Sequence, residues 1–360
     1  MFRWGIIGSG FVARKFVLGL RSSDGGTAAL VCSRTEANAR AFARDFGVAN
    51  VRTSVEEAAR SSDVDAFYIA SPPSAHRDHA IACLSAGKAV LVEKPFAASR
   101  SDAEAIAAAA RSAGVFCMEG MWTRFLPLVG ELRASIRNGA IGAPRSLCGS
   151  FGASNRADPT DNQFNPDLGG GALLHRGIYP LAMAFDLLGE GSLAGAAARR
   201  GPTGVDEDCV LALRHQGGAL STVRASLRAA LANDLTVEGT HGARHVHAPI
   251  FRPFRFTLTK TTPTSRSRSG NLSLEKVREG AFAQAAQQRL AGLAARLRPG
   301  GRRTVTRTYT GNGYHYEADE VMRCVRRGAT ESELMSLAQS VAMATLIDQA
   351  RALWVDQRPE

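Results

Sequence analysis

One lysine stands where it could do chemistry. Lys94 lies in the triplet Glu93-Lys94-Pro95 at the end of an apolar run, and it is one of only five lysines among 44 basic residues. A second motif, Ser71-Pro72-Pro73-Ser74-Ala75-His76, follows the preceding apolar run. Ligands bind at the carboxyl ends of strands in open α/β sheets. The two motifs therefore predict a shared ligand site, and the structural alternative for Lys94 is an ion pair with Glu93.

A glycine-rich loop precedes both motifs. Gly8-Ser9-Gly10-Phe11-Val12-Ala13 follows the first apolar run and opens a helical pattern, which is the context that a dinucleotide fingerprint requires. Gly8 permits the tight turn and Gly10 lets backbone N–H groups approach a pyrophosphate, whose charge the helix N-terminus stabilises. We therefore expect a dinucleotide site at Gly8, Ser9, Gly10, Phe11 and Val12. An ordinary glycine turn is the alternative.

The second apolar run ends without the acid that holds the ribose of NAD. That acid usually follows the glycine loop by about 20 residues, whereas this chain has Ser33 and Arg34 there. A guanidinium makes charge-assisted hydrogen bonds to phosphate oxygens. The pair favours NADP(H) over NAD(H), and the alternative for Arg34 is a solvated loop side chain.

The elements that must position these residues alternate strand with helix. Apolar runs predict strands at Arg3–Ile7, Ala28–Cys32, Asp65–Ala70, Ala89–Val92 and Val115–Met118. Helical patterns lie between and after them, around 11–21, 35–46, 54–60, 75–86 and 100–113. The alternation predicts an α/β domain over residues 1–120, with a parallel sheet covered by helices on both faces.

A different rhythm begins after residue 120. Helices are predicted at Pro127–Asn138, Gly171–Leu188, Tyr314–Arg327 and Glu333–Trp354. Strand-like runs at 193–200, 208–214, 219–227, 234–239 and 254–259 follow one another with glycine-containing turns between them. A block of consecutive strands is typical of an antiparallel sheet, and we expect a second, α+β domain over 121–360.

The motifs together resemble the Gfo/Idh/MocA family of nicotinamide oxidoreductases. Further downstream, Met118–Phe125, Gly169–Leu174 and Gly311–Ala318 resemble its dihydrodiol dehydrogenase and NADP-dependent xylose dehydrogenase branch. The resemblance covers about 1–258 and 309–355. It implies a Rossmann domain followed by a domain whose large, mostly antiparallel open sheet faces the nicotinamide.

The resemblance also implies site residues. Lys94 matches the active-site lysine of the family, and Tyr179 matches a tyrosine of the branch. His175 stands where the family usually has an aspartate; a histidine could relay a proton, since its ordinary pKa is near 6.5. Positions 175 and 179 share a face of a helix. Arg176 would bind an anionic substrate or form a salt bridge at the domain interface. Further cofactor contacts are expected from Ser71, Pro72, His76, Glu93, Lys94, Trp122 and Arg124.

These residues support one leading hypothesis and two others. The first is an NADP(H)-dependent oxidoreductase that acts on a secondary alcohol or ketone of a sugar, cyclitol or dihydrodiol. The second is a non-catalytic NADP-binding or regulatory protein, motivated by His175. The third, nucleic-acid binding, rests only on charge. The resemblance implies a homodimer or homotetramer.

The charge is concentrated in one stretch. The chain has a net charge of +11, and residues 244–303 carry 13 basic and two acidic residues, which equals the whole excess. Most of this stretch has no counterpart in the family and is interpreted as an insertion at about 260–304, with a helical pattern from Leu274 to Leu297. The excess charge therefore belongs to the insertion and not to the enzyme scaffold, and the stretch could bind an anionic partner, cover a neighbouring subunit or form a solvated basic helix.

The remaining features exclude several classes of protein. The six cysteines form no CxxC pair and are interpreted as buried thiols, and His76 and His79, three residues apart, lack further ligands, so no metal site is expected. His241, His245 and His247 are interpreted as surface residues. No apolar stretch of about 18 residues and no leader pattern is present, which favours a cytoplasmic protein without a membrane span.

Overall fold

A six-stranded parallel sheet occupies the N-terminal part of the computed structural model, which describes residues 1–261, 280, 283 and 302–354. Its strands are β1 (Phe2–Ile7), β2 (Gly26–Cys32), β3 (Asn50–Arg52), β4 (Ala66–Ile69), β5 (Ala89–Glu93) and β6 (Cys117–Gly120). They lie in the order β3-β2-β1-β4-β5-β6, and every neighbouring pair is parallel. The order reverses between β1 and β4, and ligands bind at such a switch point.

Five helices connect these strands: α1 (Phe11–Leu20), α2 (Glu36–Phe46), α3 (Val55–Ala59), α4 (His76–Ser85) and α5 (Arg100–Ala113). Local capping explains where three of them begin, because the hydroxyls of Thr35, Ser54 and Ser99 accept hydrogen bonds from backbone N–H groups of the first turns of α2, α3 and α5. Gly47 and Gly114 end α2 and α5 with positive φ.

The second sheet has eight strands. They are β7 (Pro144–Gly152), β8 (Gly191–Arg200), β9 (Asp206–His215), β10 (Leu220–Ser226), β11 (Leu235–Gly239), β12 (Gly242–Val246), β13 (Arg255–Lys260) and β14 (Arg302–Thr306). The order is β14-β13-β12-β11-β7-β10-β9-β8, and only the pair β7 and β10 is parallel within the described residues. The predicted fold class, a Rossmann sheet with a mostly antiparallel second sheet, is confirmed.

Four more α-helices complete the described chain: α6 (Pro127–Arg137), α7 (Ile178–Leu188), α8 (His315–Arg326) and α9 (Leu337–Trp354). α7 is buried along most of its length, and α9 packs against both α5 and β8. The helix predicted at Gly171–Leu188 is present from Ala172 onward, and its first part is a π-helical turn at Leu173–Gly177 that leads directly into α7.

The remaining predictions about the fold concern the cysteines, the basic stretch, membrane spans and the domain boundary. Five cysteines are buried, but Cys148 is exposed, since it lies on the open face of the second sheet. Most of the proposed basic insertion, including the helical pattern from Leu274 to Leu297, lies outside the described residues. Among the described helices, none combines the length and the apolar character needed to cross a bilayer. The domain boundary near residue 120 stays a prediction.

Candidate active site

The glycine loop between β1 and α1 forms an open cradle. Gly8 has a φ of +107°, and a Cβ there would lie 2.6 Å from the carbonyl oxygen of Ala70, so only glycine permits this close approach of the β1 and β4 ends. Gly10 caps α1 and has no atom within 4 Å of the position of a Cβ. A group bound there would reach the backbone N–H groups of α1 directly. The loop therefore fits a pyrophosphate.

The end of β2 borders the same loop. The Oγ atoms of Ser9 and Ser33 are 2.9 Å apart, which joins the glycine loop to the residue just before Arg34. Arg34 is exposed. Phe11 is 74% exposed at the start of α1, with the Nζ of Lys15 at 5.2 Å from its ring centroid. The end of β2 and the start of α1 thus present an exposed guanidinium and an exposed aromatic ring beside the cradle.

His76 connects the loops that follow β4 and β5. It is buried; its Nδ1 lies 2.9 Å from the carbonyl oxygen of Pro95, and its Nε2 lies 2.9 Å from that of Ser71. Burial lowers the pKa of His76 to about 4, so the ring is neutral near pH 7 and donates one of these bonds. The ring of His76 therefore lies between the carbonyl oxygens of the two loops and links them.

The neighbouring histidine also serves these loops. His79 Nδ1 lies 3.0 Å from the Oγ of Ser71. No group of three or more His, Cys, Asp or Glu side chains suitable for a metal ion occurs among the described residues.

Lys94 meets the second domain at two points. It follows β5, and the peptide bond between Lys94 and Pro95 is cis. The Nζ donates to the main-chain carbonyl of His175 at 3.3 Å and lies 4.9 Å from the centroid of the Tyr179 ring. The structure therefore brings Lys94 together with His175 and Tyr179, although the lysine is 81 positions from His175 in the sequence.

The π-helical turn explains why that carbonyl is available. The N–H of Ile178 donates to the carbonyl of Leu173, which is the five-residue spacing of a π turn. The equivalent donor for the carbonyl of His175 would be residue 180, which is proline and has no N–H. The turn thus leaves an acceptor for the ammonium of Lys94.

The imidazole of His175 plays a different part from the one expected. Its Nε2 lies 3.2 Å from the carbonyl oxygen of Gly169. Burial, and then the nearby charge of Lys94, lower the pKa of His175 to about 3. The ring is therefore neutral near pH 7, and its Nε2–H donates to Gly169. The expected proton relay through a half-protonated ring is not supported.

Tyr179 provides the phenol beside the lysine. The side chain is buried, and burial raises its pKa even though Lys94 acts in the opposite direction. Its hydroxyl oxygen accepts a long hydrogen bond, 3.5 Å, from the indole N–H of Trp122. The rings of Phe151 and Phe251 lie 5.5 and 6.2 Å from the Tyr179 ring. The phenol is thus neutral, and the wall around it is aromatic.

Two buried acids that sequence analysis missed hold the supporting loops. Glu119 accepts from the N–H of Phe96, just past Lys94, at 3.1 Å and from the Oγ of Ser340 in α9 at 2.7 Å. Burial raises its pKa to about 7. The motif Met118–Phe125 contains Glu119, so a signal for it was present.

The second acid holds the π turn. Asp206 accepts from the N–H of Leu173 at 2.7 Å, and burial raises its pKa to about 6. No motif marked Asp206 in the sequence.

Arg124, expected at the cofactor, has another role. Its side chain is 2% exposed, and its guanidinium lies 3.3 Å from Asp186 and donates to Gln339 at 2.9 Å. Arg133 donates twice to the same Asp186 carboxylate. The guanidinium of Arg124 is therefore committed to a buried ion-pair cluster and is withdrawn from the proposed cofactor contacts.

Arg176 fits neither expectation made for it. Its guanidinium donates to the carbonyl oxygens of Ala153 and Ser226 and to the side-chain oxygen of Gln163. These acceptors are neutral, and the side chain is buried. These hydrogen bonds link Arg176, and with it the π turn, to the ends of β7 and β10.

A cavity of about 490 Å³ lies next to this turn. Its lining includes Gly169, Gly170, Asp206 and Arg351, but neither Lys94 nor Tyr179. The volume alone therefore does not locate the chemistry, and we place the site at the lysine and the phenol.

The fold and the site define a class. A glycine loop at the switch point of a parallel sheet is the arrangement of a dinucleotide-binding domain, and Lys94 at the end of β5 adds a charged group that contacts the π turn and α7. The family model "Oxidoreductase family, NAD-binding Rossmann fold" matches residues 2–121, and the model "GFO/IDH/MocA C-terminal domain" matches residues 129–244. The chain belongs to this family, which confirms the predicted resemblance and an oxidoreductase activity that uses NAD(P).

Curated relatives extend along the whole chain. Trans-1,2-dihydrobenzene-1,2-diol dehydrogenase from Sus scrofa is 30% identical over 354 residues, which are 97% of this chain and 96% of the relative. The enzyme of the same name from Xenopus laevis is 30% identical over 357 residues, with the same coverage.

Solved structures share the fold. An aldose-aldose oxidoreductase from Caulobacter crescentus, complexed with glycerol, has a TM-score of 0.81 at 21% identity and covers 99% of this chain and 98% of its own. A 3-ketoreductase from Actinomadura kijaniata, in complex with NADP and TDP-benzene, has a TM-score of 0.78 at 22% identity and covers 98% and 97%. Levoglucosan dehydrogenase in complex with NADH and L-sorbose has a TM-score of 0.80 at 20% identity, with coverage of 98% and 97%.

Proposed function

We propose that this chain is an NADP(H)-dependent dehydrogenase or reductase that acts on a secondary alcohol or ketone of a sugar, cyclitol or dihydrodiol. The observation that carries the proposal is the position of Lys94, whose Nζ donates to the carbonyl of His175 and lies 4.9 Å from the Tyr179 ring centroid, at the same sheet edge as the glycine cradle. The names of the curated relatives, dehydrogenases of a dihydrodiol, support the substrate class.

The residues of the site have two roles, which are to bind the substrate oxygen and to transfer a proton. A nicotinamide cofactor, when bound, supplies the hydride donor or acceptor. Lys94 uses one of its three N–H groups on the carbonyl of His175, which leaves two for a substrate oxygen. Tyr179, neutral because it is buried, is able to donate its phenolic proton to that oxygen in reduction. Oxidation is the reverse: the pair first loses one proton to solvent, and the phenolate of Tyr179 then accepts the hydroxyl proton of the substrate.

The aromatic wall excludes water from this oxygen. The stacked rings of Trp122 and Tyr314 are 4.7 Å apart, and those of Phe151 and Phe251 are 5.2 Å apart. A dry, apolar surround strengthens the hydrogen bonds that the lysine and the phenol make to the reacting oxygen. It also supports a substrate with an apolar face.

The cofactor preference rests on the end of β2. Ser33, whose Oγ lies 2.9 Å from that of Ser9 in the glycine loop, and exposed Arg34 follow β2, where residues of this fold contact the ribose of the cofactor. The absence of a carboxylate at these two positions supports NADP(H) over NAD(H).

Two further properties belong to the proposal. We expect a homodimer or homotetramer that works in the cytoplasm. Support for assembly comes from exposed apolar side chains on the outer face of the second sheet, Val210 on β9 and Leu220 on β10, which are 41% and 52% exposed. Light scattering coupled to size exclusion tests this; a monomer at every concentration contradicts it.

Removal of the lysine tests the activity. Lys94→Met should abolish turnover of NADP+ with a panel of sugars, cyclitols and diols while NADPH binding, followed by fluorescence titration, stays near wild type. Lys88→Met is the matched control, because Lys88 also donates to a main-chain carbonyl, that of Val64, but lies outside the site. Wild-type turnover by Lys94→Met would refute the assignment.

A non-catalytic NADP-binding protein of the same fold is the second candidate. The observation in its favour is the neutral His175, which brings no charge to Lys94. It predicts tight NADPH binding and no turnover with any member of the panel. Appearance of activity in His175→Asp would support it, and turnover by the wild-type protein would exclude it.

A further inference from the structure

One buried carboxyl near the site has no partner. Glu317 lies in the first turn of α8 and is fully buried, and neither of its side-chain oxygens has a hydrogen-bond partner among the described residues. An ionised carboxylate in such a place would lack both water and a counter-charge, which is costly. The group therefore holds a proton.

The acid that precedes the active lysine lies close enough to Glu317 to act on it electrostatically. Glu93 is also buried and accepts from the Tyr68 hydroxyl at 2.7 Å. Glu93 pairs in register with Gly120 on β6. A Cβ on Gly120 would lie 3.3 Å from the Oε2 of Glu317 and 3.5 Å from the Cα of Glu93. The Oε2 of Glu317 and the backbone of Glu93 therefore both border the space that Gly120 leaves free of a side chain.

We propose that Glu93 and Glu317 form a carboxyl pair that holds a single proton, and that the remaining negative charge, on Glu93, is the counter-charge of Lys94. Glu317 is then a positioning residue, which acts on Lys94 through Glu93. This inference rests on the proposed function only for its effect on turnover, because the proton count of the pair is a property of the folded chain.

The surrounding charges place the proton on Glu317. Burial and the negative charge of Glu93 raise the pKa of Glu317 well above its ordinary value. Burial also raises the pKa of Glu93, but Lys94 and the Tyr68 hydroxyl favour its ionised form. Two adjacent buried carboxyls do not both ionise near pH 7. The other titratable groups that face the pair from the packed elements are Tyr68 on β4, Glu119 on β6, Tyr179 on α7 and Tyr314 at the start of α8.

The charge of this pair matters because His175 is neutral and brings no charge to Lys94. The negative charge that acts on Lys94 is therefore that of Glu93, the last residue of β5. If Glu317 were ionised as well, two negative charges would face one ammonium. The single proton keeps the pair and Lys94 together neutral.

Infrared spectroscopy of the full chain tests the proposal without turnover. At about pH 8, exposed carboxyls are ionised, and so is most of Glu119. The wild-type spectrum should then contain a protonated carboxylic acid band, which Glu317→Gln removes. The matched control is Glu320→Gln on the same helix, since Glu320 is paired with Arg323 and Ser332 and contributes no such band.

Kinetic measurements test whether the carboxyl pair affects turnover at the active site. Glu317→Gln should change the pH profile of kcat, because the titration of the pair is lost, whereas Glu320→Gln keeps the wild-type profile. Absence of the band in the wild-type protein, or its persistence in Glu317→Gln, overturns the proposal. If Glu317→Gln does not fold, the band is assigned in the wild-type protein by the shift that 13C-labelled glutamate causes. Presence of the band without turnover on any substrate would refute the proposed function and leave the pair intact.

Discussion

Replacement of Glu119 by glutamine should stabilise the protein at alkaline pH. Glu119 is 1% exposed, and burial is the main cause that raises its pKa from 4.5 to about 7. Glutamine has the same shape; its oxygen accepts from the N–H of Phe96, and its amide is able to donate to Ser340. The substitution therefore removes the ionisation and keeps the two contacts that hold the loop after Lys94.

The size of the effect follows from proton linkage. Each pH unit between the folded and unfolded pKa of a group is worth about 1.4 kcal/mol, so a rise from 4.5 to about 7 corresponds to about 3 kcal/mol. The sign is set by the raised pKa: the folded state keeps the proton that the unfolded state releases above pH 4.5. The free energy of unfolding of the wild-type protein thus falls as pH rises through this window, and the loss is complete above about pH 7.

Urea unfolding at two pH values measures this difference. Near pH 4.5 the free energy of unfolding of Glu119→Gln should differ little from that of the wild-type protein, and near pH 8.5 it should be higher by about 3 kcal/mol. Glu104→Gln is the control, because Glu104 is an exposed carboxyl paired with Arg100 on α5, and its difference from wild type should change little with pH. Parallel curves for wild type and Glu119→Gln would refute the assignment of a neutral buried acid.

Three further substitutions test other parts of the site. Arg34→Ala should raise the KM for NADP+ roughly 10- to 100-fold, the value of a charge-assisted hydrogen bond, and leave the KM for NAD+ nearly unchanged; equal losses would remove the preference. Gly171→Ala should lower the Tm and kcat, since φ is +127° there and a Cβ would overlap the Asp206 carboxylate, whereas Gly189→Ala, with positive φ but open space, should lower the Tm less. His175→Ala leaves in place the carbonyl that holds the lysine, so its kcat should fall less than about tenfold; a loss as large as that of the lysine variant would show that the imidazole itself acts.

The first domain was predictable because its signals are local. Each strand of the parallel sheet except β3 is a short apolar run, and hydroxyl caps such as Thr35 and Ser99 mark the helix starts. β3, at Asn50–Arg52, is a three-residue edge strand and lacks such a run.

The second sheet was less accessible to sequence analysis. β7, β12 and β14 were missed, and β7 carries Gly149 and Gly152 and pairs with β10 and β11, far along the chain. Pairing of this kind depends on the partner strands and leaves no clear periodicity in β7 itself.

The candidate site, like the fold, was predictable from the sequence only in part. Motifs located Lys94 and Tyr179, but not the roles of their neighbours. The π turn, the carbonyl of His175 and the buried acids Asp206 and Glu317 depend on what packs around them, which no spacing in the sequence states.

The hydrogen bond from Ser340 to Glu119 has a consequence for biosynthesis. It joins residues 221 positions apart. Through Glu119, which also accepts from the N–H of Phe96, α9 supports the loop that follows Lys94. A growing chain has the cradle and the lysine long before α9 leaves the ribosome. Contacts of such long sequence separation form late in folding, so we expect the loop after Lys94 to be held in place only when α9 docks. A chain that lacks α9 would therefore keep the glycine cradle and Lys94 but lose the hydrogen bond that holds the loop after the lysine.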